Sequence, residues 1–230
     1  SIGRRVRLGS WDDQRISTYA KISDAIDAGD WEFGAELAAY FVDEASVTMA
    51  LAERMARLAQ YDALTDLPNR VLLQDRARQA LALARREGKS LAVMYIDLDG
   101  FKQVNDRLGH DLGDELLVQF ARRMQAAVRQ SDTVCRQGGD EFVVLLPGLD
   151  GPQQSTVVAR KVLAVCQAPF DLQGHEVRVG LSAGLALFPQ HGSAFEELAR
   201  HADTAMYAAK RSGRMQVRCY AGAAQEPELL

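Results

Sequence analysis

Cysteine is scarce in this 230-residue chain: Cys135, Cys166 and Cys219 are the only three, they form no CxxC pair, and an odd number cannot all be bridged. That excludes a disulfide-stapled scaffold and is expected of reduced thiols in the cytoplasm. No apolar run approaches the ~20 residues that cross a bilayer, so no membrane-spanning helix is expected. The opening segment SIGRRVRLGSWDDQ lacks the hydrophobic stretch a secretory signal needs. It begins on Ser rather than Met, as expected of a piece of a longer protein. Collagen-like composition is absent as well, with six prolines and 18 glycines. Neither sign of charge dominates: 27 Lys and Arg stand against 31 Asp and Glu, a formal net charge of −4. A net-acidic chain is a poor non-specific binder of nucleic acid, and none is expected as a partner. What remains is 47% hydrophobic and 25% charged, the profile of a globular protein with a real core and room for one or two domains.

The charge is unevenly spread. Residues 1–60 hold 7 basic and 10 acidic side chains, and no Lys or Arg occurs from Ile22 to Glu53. Both tryptophans, Trp11 and Trp31, lie in that part. Residues 12–60 read as helix with a break at Ala28-Gly29-Asp30, where Asp30 can cap the second helix. Leu37, Phe41, Leu51, Met55 and Leu58 make one stripe, interrupted by Glu44 and Thr48; Ala38, Val42, Ala45, Met49, Ala52, Ala56 and Ala59 make the stripe beside it. Their alternating 4-3 spacing suits a coiled coil or helical bundle. Packing of the same face on its own domain satisfies the pattern equally.

The character changes near Tyr61. From there helices are predicted at 70–87, 113–128, 152–167 and 194–212, and strands at 91–97, 132–137, 140–146, 177–187 and 215–220. Gly138-Gly139 between two apolar runs marks a hairpin, because glycine reaches positive φ at little cost. The order predicts an α/β fold with a mixed sheet flanked by helices, related to the split βαβ arrangement. Residues 1–60 form an α-helical segment before it, and residues 222–230 read as a flexible tail.

Four constellations carry chemistry. Asp97 and Asp99, in YIDLDGFK, fall where an apolar strand meets a loop, a usual place for ligands in α/β sheets and equally for loop-capping carboxylates. Asp140 and Glu141 follow the glycine turn, and Asp140 can face the end of the first strand. Asp97 with Asp140 suits Mg²⁺, which takes few protein oxygens and leaves positions for water and phosphate. Gly138 and Gly139, without a Cβ, let a nucleotide approach the backbone; a hairpin with solvated edge acids is the plainer alternative. Lys102 follows DLDGF closely, and Lys210 and Arg214, at the end of the last helix, are either partners of that helix end or neutralisers of phosphate charge. Asn105 and Asp114 can read a guanine edge, where a wrong base leaves polar groups unpaired. Asp114 serves equally as a helix N-cap, and His110 reads as a loop residue.

Five motifs in order, DALTDLPNR at 62–70, DLDGFKQVNDRLGHDLGDELL at 97–117, GGDEF at 138–142, LSAGLALFP at 181–189 and ADTAMYAAKRSGR at 202–214, resemble the GGDEF domain of diguanylate cyclases over residues 61–221. The resemblance implies a palm-like nucleotidyl-cyclase fold and the joining of two GTP molecules into cyclic di-GMP with release of two pyrophosphates. It implies Mg²⁺, with Mn²⁺ as substitute, held by Asp97, the Leu98 carbonyl and Asp140. Asp140 also matches the base for the 3′-hydroxyl, Glu141 the adjacent acid, and Lys102, Lys210 and Arg214 the phosphate-binding cations. Asn105 and Asp114 match the guanine-reading positions, beside Gly138 and Gly139. Arg129 and Asp132 form an RxxD five residues before Gly138, the spacing of an inhibitory product site, with Arg160 as second arginine. Asp66 stands where the family often has Gly.

One site carries one GTP and the product needs two ester bonds, so a homodimer is expected, with residues 1–60 governing the encounter. An activator protein or a missing sensor domain would act on that segment. The rival reading is a non-catalytic receptor that binds cyclic di-GMP through RxxD.

Overall fold

The computed structural model describes residues 57–222 continuously, with isolated positions at 21, 24, 49, 54, 55, 228 and 229. The chain divides into two compact units, Ser1–Arg57 and Leu58–Leu230. The helical stripes and the break expected within residues 12–60 lie largely outside the described residues. The account that follows is of the second unit.

Its elements are α1 (Arg70–Glu87), β1 (Ser90–Asp99), α2 (Phe101–Leu108), α3 (His110–Ala127), β2 (Thr133–Gly138), β3 (Glu141–Leu149), α4 (Pro152–Ala164), β4 (Phe170–Leu172), β5 (His175–Val177), β6 (Gly180–Phe188), α5 (Phe195–Arg211), β7 (Gln216–Cys219) and β8 (Glu228–Leu229). Six strands form one sheet in the order β2-β3-β1-β6-β7-β8; β4 and β5 pair separately. Neighbours run antiparallel except β6 and β7, which are parallel. This is the mixed α/β sandwich that the sequence pattern predicts.

β1 is central and covered on both faces, which is why its apolar run is nearly continuous rather than alternating. Ala92, Met94, Ile96 and Leu98 pack with Leu116, Phe120 and Met124 of α3 and Val158 and Val162 of α4. Leu91 and Val93 point the other way, into a layer built by Leu73, Ala77 and Leu81 of α1 and Leu198 and Ala202 of α5. By the same alternation Tyr95, Asp97 and Asp99 share the α1/α5 side, so the acids project where α5 ends. α5 lies unusually close to the sheet. A Cβ on Gly184 would sit 2.0 Å from the Ala202 carbonyl oxygen and 2.1 Å from the Met206 nitrogen.

Four stretches depart from the sequence reading. α2 was expected as loop; eight residues offer too few turns for a periodic signal. α3 begins at His110 rather than 113, with Gly109 as its N-cap, so His110 is helical and Asp114 is not a cap. The strand expected at 177–187 is two elements, with β5 closing a short hairpin on β4. In the segment expected to be a tail, Glu228–Leu229 pair with Arg218–Cys219.

Candidate functional site

Asp97 lies opposite Glu141 on β3 and opposite Ser182 on β6, so the DxD strand and the GGDEF hairpin meet side by side. The Leu98 N–H donates to the Asp140 carbonyl at 3.3 Å, tying the glycine turn to the end of β1. Gly138 and Gly139 take φ of 147° and 53°, and the register shifts between Arg136 and Gly138. That turn is reachable only without a side chain. A pocket of about 230 Å³ opens there, lined by Asp97, Leu98, Lys102, Asp140, Lys210 and Arg214 among others. Six residues singled out from three separated stretches of sequence thus converge on one cavity.

The pocket is electrostatically tense. Asp97 is nearly buried, and Lys210 Nζ sits 2.6 Å from its carboxylate. Burial raises the Asp97 pKa against that lysine, and the charges of Asp140 and Asp99 raise it further. Glu141 is raised too, first by burial and then by Asp97, Asp203 and Asp140. Carboxylates that push one another toward protonation favour a cation between them. Asp97, Asp140 and the Leu98 carbonyl are hard oxygen donors of the kind Mg²⁺ takes. Among the described residues no cluster of three or more acidic, His or Cys side chains makes a full metal cage. The donor set fits an ion that completes its shell with ligands from outside the protein.

Two positioning groups escaped the sequence reading. Asp99 does not line up with Asp97 as a second free acid. It accepts from Ser182 Oγ at 2.9 Å and from the Met215 N–H at 3.1 Å, and Arg214 Nε lies 3.7 Å away. It thereby fastens a loop in which Arg214 and Met215 both hold positive φ, a costly conformation that surrounding contacts must over-determine. α5 itself is capped by Ser212, one residue before Gly213. The second group is Arg136, which donates to both Asp62 oxygens at 3.0 and 3.2 Å and to the Gly139 carbonyl at 3.0 and 2.9 Å. It clamps the glycine turn to the DALT segment. An arginine two residues before the turn was the available signal.

Gly109 ends α2 and caps the start of α3, and Asn105 of α2 comes against Gly113, the residue before Asp114 on α3. The Asn105 side-chain oxygen is buried and has no hydrogen-bond partner among the described residues, while Asp114 is exposed. A buried acceptor without a donor is costly unless a ligand supplies one. Arg129 and Asp132 sit in the turn after α3, where the Asp132 carboxylate accepts the Arg129 N–H at 2.9 Å. Burial raises the Asp132 pKa against that bond. Arg160 is exposed on α4, and no contact joins it to that pair among the described interactions.

Residues 59–216 match the family described as diguanylate cyclase, GGDEF domain. Among curated proteins, the chain is 46% identical over 170 residues to MucR of Pseudomonas aeruginosa, named a bifunctional diguanylate cyclase and cyclic di-GMP phosphodiesterase. That match covers 74% of this chain and 25% of MucR. The chain is 44% identical over 161 residues to diguanylate cyclase TpbB of the same species, covering 70% of this chain and 37% of TpbB. The solved TpbB GGDEF domain superposes with a TM-score of 0.69 at 43% identity, over 70% of this chain and 95% of that one. Diguanylate cyclase SiaD of P. aeruginosa, solved with its activator SiaC, matches at 30% identity with a TM-score of 0.65, over 94% of this chain and 88% of that one. The chain thus spans between a quarter and two-fifths of these curated relatives' length.

Proposed function

The chain belongs to the GGDEF family of diguanylate cyclases, and from that premise we propose that it condenses two GTP molecules into cyclic di-GMP, releasing two pyrophosphates. The observation that carries the proposal is the single pocket in which Asp97, Asp140, Lys210 and Arg214 meet at the end of β1. In this reading the buried Asn105 oxygen and the Asp114 carboxylate accept guanine N–H groups. Lys102, Lys210 and Arg214 neutralise the triphosphate as charge builds toward the leaving pyrophosphate. The 3′-hydroxyl oxygen of one GTP bonds to the α-phosphorus of the other, the α–β phosphoanhydride bond breaks, and the proton passes to Asp140. Glu141, raised in pKa beside it, is the adjacent acid. Asp97, the Leu98 carbonyl and Asp140 would hold Mg²⁺, or Mn²⁺ in its place. Such an ion, when bound there, would supply polarisation of the phosphate and a lower pKa for the hydroxyl.

Each pocket holds one nucleotide, so two copies must face each other for both ester bonds to form. Residues 1–60 bring them together in this proposal, and an activator protein or a preceding sensor controls the encounter. The likeness to SiaD, solved with its activator, supports the former. Product inhibition runs through Arg129, Asp132 and Arg160, and the reaction belongs in the cytoplasm, with its GTP. No helix among the described residues is long and apolar enough to cross a membrane.

The test is incubation with GTP and Mg²⁺ and chromatographic separation of products. Cyclic di-GMP should form, Asp140→Asn should abolish it with the fold intact, and Arg129→Ala should relieve inhibition at high product. Binding of cyclic di-GMP without turnover would overturn the proposal in favour of a receptor.

A further inference from the structure

α3 carries a glycine that helix formation does not want. Gly113 lies in the first half of the helix, its N–H donates to the Gly109 carbonyl at 3.2 Å, and its φ is not in the positive range that would require glycine. Alanine is the better helix former at such a position. Space explains the choice. A Cβ built on Gly113 would stand 1.8 Å from Asn105 Oδ1 and 2.9 Å from Asn105 Cγ, with the Phe101 ring at an ordinary 3.5 Å. The missing side chain is the seat of the Asn105 carboxamide.

That carboxamide oxygen is the one buried polar side-chain atom without a partner among the described residues. Seated against a glycine that a helix would rather replace, a carboxamide with an unpaired oxygen is fixed in one place, on a residue that keeps partial exposure toward a ligand. We infer that Gly113 is a specificity-determining positioning residue, which fixes Asn105 for a purine edge bearing N–H donors. The inference rests on the guanine-reading role proposed above for Asn105. It goes beyond that role by assigning the discrimination to a residue that contacts no substrate.

The obstacle an alanine would meet is the far end of a flexible side chain rather than backbone. Asn105 can swing away, so the fold tolerates Gly113→Ala while the acceptor is lost. The signature is a protein that melts no earlier than the parent yet binds guanine poorly.

The experiment measures calorimetric binding of 3′-deoxyGTP, which lacks the attacking hydroxyl and cannot react, alongside 3′-deoxyITP, which lacks the 2-amino donor. Both are titrated with Mg²⁺ present into the full chain and its variants. Gly113→Ala should weaken 3′-deoxyGTP binding roughly 10- to 100-fold, shrink its advantage over 3′-deoxyITP, and leave the melting temperature level or higher. Asn105→Ala should lose a similar factor, and the double variant should be no weaker than Asn105→Ala alone, since the glycine acts through the amide. Parental affinity in Gly113→Ala, or losses that multiply in the double variant, would overturn the inference. A loss of affinity with a drop of several degrees in melting temperature would also overturn it, by making the role structural. A parent protein that binds both analogues equally would instead sink the guanine-reading role of Asn105.

Discussion

Replacing Arg136 with alanine should destabilise the second unit and loosen the glycine turn together. The guanidinium makes two contacts with Asp62 and two with the Gly139 carbonyl, and its side chain is only 11% exposed against 22% for Asp62. Asp62 keeps the Thr65 N–H at 2.9 Å and the Thr65 hydroxyl at 2.7 Å, so it is not orphaned. Breaking a fully buried pair from one side costs about 3–5 kcal/mol. A hydrogen bond to a charged group contributes about 1.5–3 kcal/mol. Partial exposure and the surviving Thr65 contacts place the loss near the lower figures, about 2–3 kcal/mol. For a unit of this size that is a fall of roughly 5–10 °C in Tm. A double-mutant cycle with Asp62→Ala should return a coupling of about 1–2 kcal/mol. pH supplies an independent check. Burial alone would raise the Asp62 pKa, but the Thr65 hydrogen bonds and the Arg136 charge outweigh it and hold the carboxyl below its ordinary value. A depressed carboxylate contributes stability that is present above its unfolded pKa of about 4 and lost as pH falls through the folded one. The gap between parent and Arg136→Ala should therefore narrow in acid. Urea unfolding of the full chain at neutral and acidic pH measures all three quantities. A neutral-pH loss below about 0.5 kcal/mol, the scale of an ordinary surface substitution, would refute the clamp.

Gly184→Ala should be among the most damaging substitutions in the sheet, because the new methyl meets α5 backbone that cannot rotate aside; at least ~3 kcal/mol is expected in urea unfolding, at or above the usual range for overpacking. Asp66 holds φ of 56°, the left-handed region that glycine adopts freely. Asp66→Val should cost about 1–2 kcal/mol more than Asp66→Gly, and thermal melts of the pair would show the order. Burial pushes the Cys135 and Cys166 thiols up to about 12. Neither should react with a disulfide reagent at pH 8 until denaturant is added, and mass spectrometry of the labelled native protein would locate any exception.

Legibility followed the kind of signal each element leaves. α1 appears in the sequence with its observed bounds because eighteen residues repeat an apolar spacing. The β2–β3 hairpin is legible because two glycines interrupt two apolar runs. α2 and the β4–β5 hairpin were missed because eight and three residues are too short for any period to emerge. Asp97, Asp140, Lys102 and Lys210 were singled out because charged groups flanking apolar strands and helix ends stand out. Asp99 looks the same as Asp97 in sequence, although its partners are Ser182 and a backbone N–H from far along the chain.

By itself the sequence determined the sandwich class, the glycine hairpin and the charged residues that flank its apolar strands, since these follow from local spacing. Tertiary structure decided which charges share a cavity, that Arg136 holds Asp62 and the glycine turn at once, and that Gly113 makes room for Asn105. Such facts depend on distances between residues as far apart in the chain as Asp97 and Arg214. Spacing along a sequence carries no information about those distances until packing fixes them.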